Sequence, residues 1–156
     1  MAPTLAVSKG VDILRDHGPV ILRTTYYEGA TRTNLPRLQG PAGPHKTDDH
    51  DPHREGRAID IILFATKENE RLIADELVEV FLEVREKMNW SAVIYNKKQW
   101  NKAGIEMPRG GDSSSSNQHL THIHIEWRAA DATLVNWEQA LIDALEARTW
   151  VLDPGF

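Results

Sequence analysis

Apolar residues in this chain follow two rhythms, one helical and one extended. Between Lys67 and Trp90 the apolar positions Ile73, Leu77, Val80, Phe81, Val84 and Met88 recur mostly three and four apart, with acidic residues such as Glu76, Glu79 and Glu83 between them. That spacing predicts one amphipathic helix of about twenty residues. A second stripe, Leu134, Trp137, Leu141, Ala144 and Leu145, predicts a closing helix over 132–148. Near the start, Ser8 can cap a short helix through about Asp16, stopped by Gly18 and Pro19.

The extended rhythm falls in four runs rich in β-branched and aromatic residues: Val20 to Tyr27, Ala58 to Phe64, Ala92 to Tyr95 and Thr121 to Trp127. Residues 28–55 and 102–118 carry Gly, Pro, Asn, Asp and Ser without a period and read as long loops, the second ending in GGDSSSSNQ. The order α, β, β, α, β, β, α suits an α+β domain over residues 1–156, a small and mainly antiparallel sheet with flanking helices.

Two strands carry polar groups where a core strand should not. In Thr121 to Trp127 the alternation puts Thr121, Ile123, Ile125 and Trp127 on one face and His122, His124 and Glu126 on the other. In AIDIILF the carboxylate Asp60 interrupts an apolar run, and burying it without a partner is costly. If these two strands are neighbours, Asp60, His122 and His124 share a face, and His53, seven residues before Asp60, can fold back over it. Two imidazoles and a carboxylate are the ligand set of an open, catalytic zinc site. A divalent cation there would also keep Asp60 ionised and paired.

The remaining candidates have plainer readings. His45 and His50, with Asp48, Asp49 and Asp51, read as a solvated loop, and Trp90, Trp100, Trp137 and Trp150 as packing. Glu126 is equally a partner that orients an imidazole or an exposed carboxylate at a strand end. Tyr26 and Tyr27 face opposite ways on a strand, so one enters the cleft and the other joins the core. The Ser113 to Ser116 run reads as a flexible loop, or a lid over the cleft.

Composition narrows the chemistry. The chain has 156 residues, long enough to bury a core, and no cysteine, which excludes thiolate zinc sites, disulfides and a cysteine nucleophile. A net charge of -5 without a basic stripe argues against nucleic acid as a partner. No stretch approaches a membrane span, and MAPTLAVSKG lacks the basic and apolar regions of a signal peptide. The expectation is a protein made in the cytoplasm that reaches the cell wall or periplasm by dedicated delivery.

His53-x6-Asp60 followed by His122-x-His124 resembles the zinc signature of the peptidoglycan metallopeptidases that group lysostaphin-type enzymes, D-Ala-D-Ala peptidases and the hedgehog signalling domain. HLTHIH, with His119, His122 and His124, is similar to the third motif of penicillin-insensitive murein endopeptidases; HREGRAIDI and VIYNKKQW are similar to the group's first motif and intervening strand. The resemblance covers roughly residues 19 to 127. It implies a hedgehog/D-Ala-D-Ala-peptidase-like fold, Zn2+ held by His53, Asp60 and His124, catalytic roles for His122 and His119, and a peptidoglycan peptide as substrate. The chain departs from the carboxypeptidase pattern, reading TTYYEGATR where an Arg-bearing segment is expected; Arg32 or Arg23 could substitute, with no position-by-position match. Thr121 stands where dipeptidases carry an acid, so a base role falls to His122. Two alternatives remain open: a zinc-binding module of the same fold without catalysis, and a non-haem Fe(II) oxygenase, which uses the same ligand types.

Overall fold

The computed structural model describes residues 3–28, 33–40, 52, 55–109 and 119–150. Helix α1 (Leu5–His17) is followed by a single 3-10 turn at Val20–Arg23 and a hairpin of β1 (Thr25–Glu28) and β2 (Thr33–Pro36). Then come β3 (Leu38–Gln39), β4 (Ala58–Ile62), α2 (Glu68–Glu83), α3 (Arg85–Met88), β5 (Ala92–Tyr95), β6 (Lys98–Asn101), β7 (Glu106–Pro108), β8 (His122–Glu126) and α4 (Glu138–Glu146). Among the described residues the main sheet has six strands in the order β3-β4-β8-β5-β6-β7, with every neighbouring pair antiparallel. The α+β architecture expected from the sequence is therefore the one present.

The two faces of the sheet are sorted by the strand alternation. Ile59, Ile61, Ile123, Ile125 and Val93 are buried in one core with Ile73, Leu77 and Phe81 of α2 and Leu141 and Leu145 of α4. Asp60, His122 and His124 lie on the opposite face. Helix α1 comes close to β4 because residue 10 is glycine: a Cβ there would stand 2.9 Å from Ile59 Cδ1. Trp127 and Trp137 stack beside it with ring centroids 6.0 Å apart. Trp90, Trp100 and Trp137 are buried, as packing requires.

Several elements differ from the sequence expectation. The first helix starts at Leu5, a turn before Ser8, with Thr4 at its N-cap. Val20 to Arg23 is a 3-10 turn, not strand: Pro19 starts it, Ile21 and Leu22 turn inward, and Thr24 Oγ1 donates to Ile21 O at 2.6 Å. Tyr27 is 60% exposed, so neither tyrosine joins the core; Tyr26 is half-buried with its ring 5.9 Å from Phe64. The long helix is broken at Val84. Trp90 Nε1 donates to Phe81 O at 2.9 Å and Trp127 Nε1 to Met88 O at 3.0 Å, so two buried indoles satisfy carbonyls near the helix ends. The expected loops also hold strands: β2 and β3 within 28–55, and β7 within 102–118, with β6 just before it.

Candidate functional site

The register of β4 against β8 makes the site. Asp60 pairs with His124 and Ile62 with His122, and directly opposed residues in a ladder project to the same face. Asp60 is only 2% exposed, His122 6% and His124 7%. Asp60 Oδ1 stands 3.3 Å from His124 Nδ1 and 3.7 Å from His122 Nε2, so the buried carboxylate has an imidazole nitrogen on two sides.

Each imidazole is held by its other nitrogen. His124 Nε2 lies 3.0 Å from Glu126 Oε1, the next residue on the same strand face. Glu126 in turn faces Arg57 at 3.7 Å, and the Arg57 guanidinium donates to Trp127 O at 2.8 Å and pairs with Glu55 at 2.8 Å. His122 Nδ1 lies 3.0 Å from Thr121 Oγ1. Burial works against a charge on His124, but its hydrogen bonds to Asp60 and Glu126 outweigh it and raise its pKa above the ordinary histidine value. Asp60 and Glu126 thus favour the charged form of His124.

His119 joins this cluster by an unusual backbone. Its φ of 55° lies in the left-handed region, and its carbonyl accepts from Asn96 N at 2.9 Å at the end of β5. Leu120 O and Thr121 O accept from Ala65 N and Leu63 N, so residues 119–121 are pinned across the end of β4. The His119 ring sits 4.8 Å from that of His122 and 5.7 Å from that of His124, and it is 8% exposed.

One donor pair has the spacing that a small divalent cation would need. Ligand bonds of about 2.0–2.2 Å in tetrahedral arrangement put donor atoms about 3.3–3.6 Å apart, and Asp60 Oδ1 and His124 Nδ1 are 3.3 Å apart. Glu126 on Nε2 leaves Nδ1 as the nitrogen facing such an ion, a carboxylate–imidazole arrangement that commonly orients metal ligands. Among the described residues these groups do not form a complete three-donor cage. His53, the further ligand expected from sequence, lies outside the described residues, as do Arg32, His45, His50 and Ser113 to Ser116.

Sequence reasoning singled out Asp60, His122, His124, His119 and Glu126, and the structure brings these five together. It did not single out Arg57 or the orienting contact of Thr121. Thr121 could have been suspected as the neighbour of a functional histidine; Arg57 stands inside the HREGRAIDI motif, which gave it no role of its own. No described helix is long and apolar enough to cross a membrane.

Compared with known proteins, residues 23–121 match the model of the family described as VldE, C-terminal domain. The matched span includes Asp60 and His119 and ends one residue before His122. No curated protein and no solved structure matches the chain.

Proposed function

The chain belongs to the VldE C-terminal domain family, and we propose that it is a zinc-dependent peptidase hydrolysing an amide bond in peptidoglycan peptides. The observation carrying this reading is the buried Asp60 with His124 Nδ1 at 3.3 Å and His122 Nε2 at 3.7 Å, each ring held from its far side. A catalytic zinc site leaves one position open for water, and an oriented imidazole beside that position can supply a general acid or base. The substrate class rests on the resemblance of the His53, Asp60, His122 and His124 motifs to those of peptidoglycan peptidases.

Asp60 and His124, with His53, would hold the ion. Zinc in an open site supplies a water acidified to a pKa of about 7 and polarises a carbonyl. Glu126 keeps the His124 ring in place, itself held by Arg57. His122, with Nδ1 tied to Thr121, presents Nε2 to the centre, where it takes or orients a proton or, when charged, stabilises an oxyanion. His119 lies tilted against His122 and edge-on to His124, and serves as a substrate contact or as a second proton carrier.

The test joins metal content with product analysis. Purified protein should contain about one zinc per chain, and incubation with sacculi should release peptide fragments, identified by mass spectrometry, without new reducing sugar ends. Zinc without any cut peptide would leave a binding module; absence of any transition metal, with no thermal shift on adding zinc, would remove the site itself.

A further inference from the structure

The ladder registers place one residue from each strand in a single row across the site face: Gln39, Asp60, His124, Ile94, Gln99 and Met107. The reactive groups sit inside this row, with a carboxamide on either side. Each carboxamide is fixed at one end. Gln39 Nε2 donates to Tyr26 Oη at 3.0 Å and to Pro36 O at 3.2 Å. Because a carbonyl only accepts, the nitrogen of Gln39 must point there, which leaves Oε1 as an acceptor without a partner among the described residues. Gln99 is fixed in the opposite sense. Its Oε1 accepts from Arg109 Nη1 at 2.7 Å, and a guanidinium only donates, so Nε2 is left as the donor without a partner there.

We propose that Gln39 and Gln99 are substrate-binding residues at the two ends of a groove that takes an extended peptide across the strands. Gln39 Oε1 would accept from a backbone N–H and Gln99 Nε2 would donate to a backbone carbonyl, the two complementary halves of peptide recognition. Four strand spacings of about 4.8 Å separate them, about 19 Å in all, the length of about six extended residues. Asp60 lies one spacing from Gln39 and His124 two spacings from Gln99. The cut bond would therefore have peptide on both sides, as in an internal position of a cross-linked stem rather than at a chain end. The identity of the substrate and the groove rest on the peptidase reading; the row and the polarity of its two ends rest on the sheet.

The test uses the full-length protein as purified, in a His122→Ala background to suppress cleavage. The probes are a cross-linked muropeptide dimer and a disaccharide tripeptide. Gln99→Glu keeps the bond to Arg109 and replaces the free donor by a charged acceptor, and Gln39→Leu removes the free acceptor. Each should weaken dimer binding about 3- to 10-fold, the weight of one hydrogen bond, while the tripeptide, too short for both ends, responds to one substitution at most. With the zinc-loaded parent, the same changes should raise KM and leave kcat nearly unchanged. If the dimer does not bind, or binds both variants as tightly as the parent, the groove is wrong. It is equally wrong if Gln99→Ala weakens binding and Gln99→Glu does not, because Gln99 then acts only by holding Arg109. Length-dependent binding without any cleavage by zinc-loaded protein would keep the groove and overturn the peptidase; cleavage indifferent to both glutamines would do the reverse.

Discussion

His122 and His124 differ in what holds them, and that difference is measurable. His124 Nδ1 faces Asp60 at 3.3 Å and its far nitrogen is taken by Glu126, whereas His122 reaches the same oxygen only at 3.7 Å and is tied to a hydroxyl. His124→Ala should lose both zinc and activity. His122→Ala should keep near-stoichiometric zinc while losing roughly 10²–10⁴ of the turnover rate; zinc content and kcat on the same preparation check this, and parallel loss of zinc in both variants would make His122 a ligand. Thr121→Val keeps the β-branched shape and removes the oxygen that orients His122. It should lower kcat about 10-fold or more with zinc retained, and Thr121→Ser should restore it; an unchanged rate for valine would leave the hydroxyl without a role. The principal groups of this site were legible in the sequence because alternation along a strand is strict: once Thr121 to Trp127 is a strand, His122, His124 and Glu126 must share a face. Gln39 was not legible. It belongs to a strand of two residues, too short for any period, and acquires meaning only from standing opposite Asp60.

Elements were legible in proportion to their length. The stripe over 67–90 spans enough turns to declare a helix, but not the break at Val84, near which the Trp90 indole bonds the Phe81 carbonyl. Val20 to Arg23 has a strand's composition, yet four residues after a proline fit a 3-10 turn as well, and the burial of Ile21 and Leu22 decides it. The β5–β6 hairpin escaped notice for a different reason. Its two-residue loop, Asn96-Lys97, lacks the glycine that usually announces such a turn, although both residues have positive φ, 50° and 68°, as a type I′ turn requires. Asn tolerates this conformation; lysine there costs about 1–2 kcal/mol. Lys97 is exposed, so its side chain contributes little packing. Lys97→Gly should therefore stabilise the protein by about 1 kcal/mol, read as a rise in the denaturant midpoint at constant m. A loss of stability would mean that the lysine makes a contact outweighing its backbone strain.

At the scale of the whole molecule, the edge of the site is tied to the helical layer through one buried ion pair. Arg37, 8% exposed, donates to Glu70 Oε1 at 2.8 Å and to Ile62 O at 2.9 Å, and its Nε donates to Thr24 Oγ1 at 3.1 Å. Glu70, 5% exposed, also accepts from Phe64 N at 3.1 Å. The pair thus joins the turn before β1, the start of β3, the end of β4 and the first turn of α2. Periodicity could not reveal it: Glu70 lies in the polar spacing of a helix and Arg37 in a stretch without period, and only the fold brings them together. Removing Glu70 leaves Arg37 charged and buried, a change that costs about 3–5 kcal/mol, a large share of the 5–15 kcal/mol typical of a domain. Glu70→Ala should lower stability by about that amount in urea unfolding. Replacing both, Arg37→Met with Glu70→Leu, removes the uncompensated charge and should recover most of the loss. Arg37 is also the residue before β3, and its carbonyl accepts from Ile62 N at 2.8 Å, so the pair fixes the segment that sets Gln39 opposite Asp60. The double variant should then recover stability more fully than it recovers the dimer affinity that depends on Gln39. Equal recovery of both would mean that β3 holds its register without the ion pair.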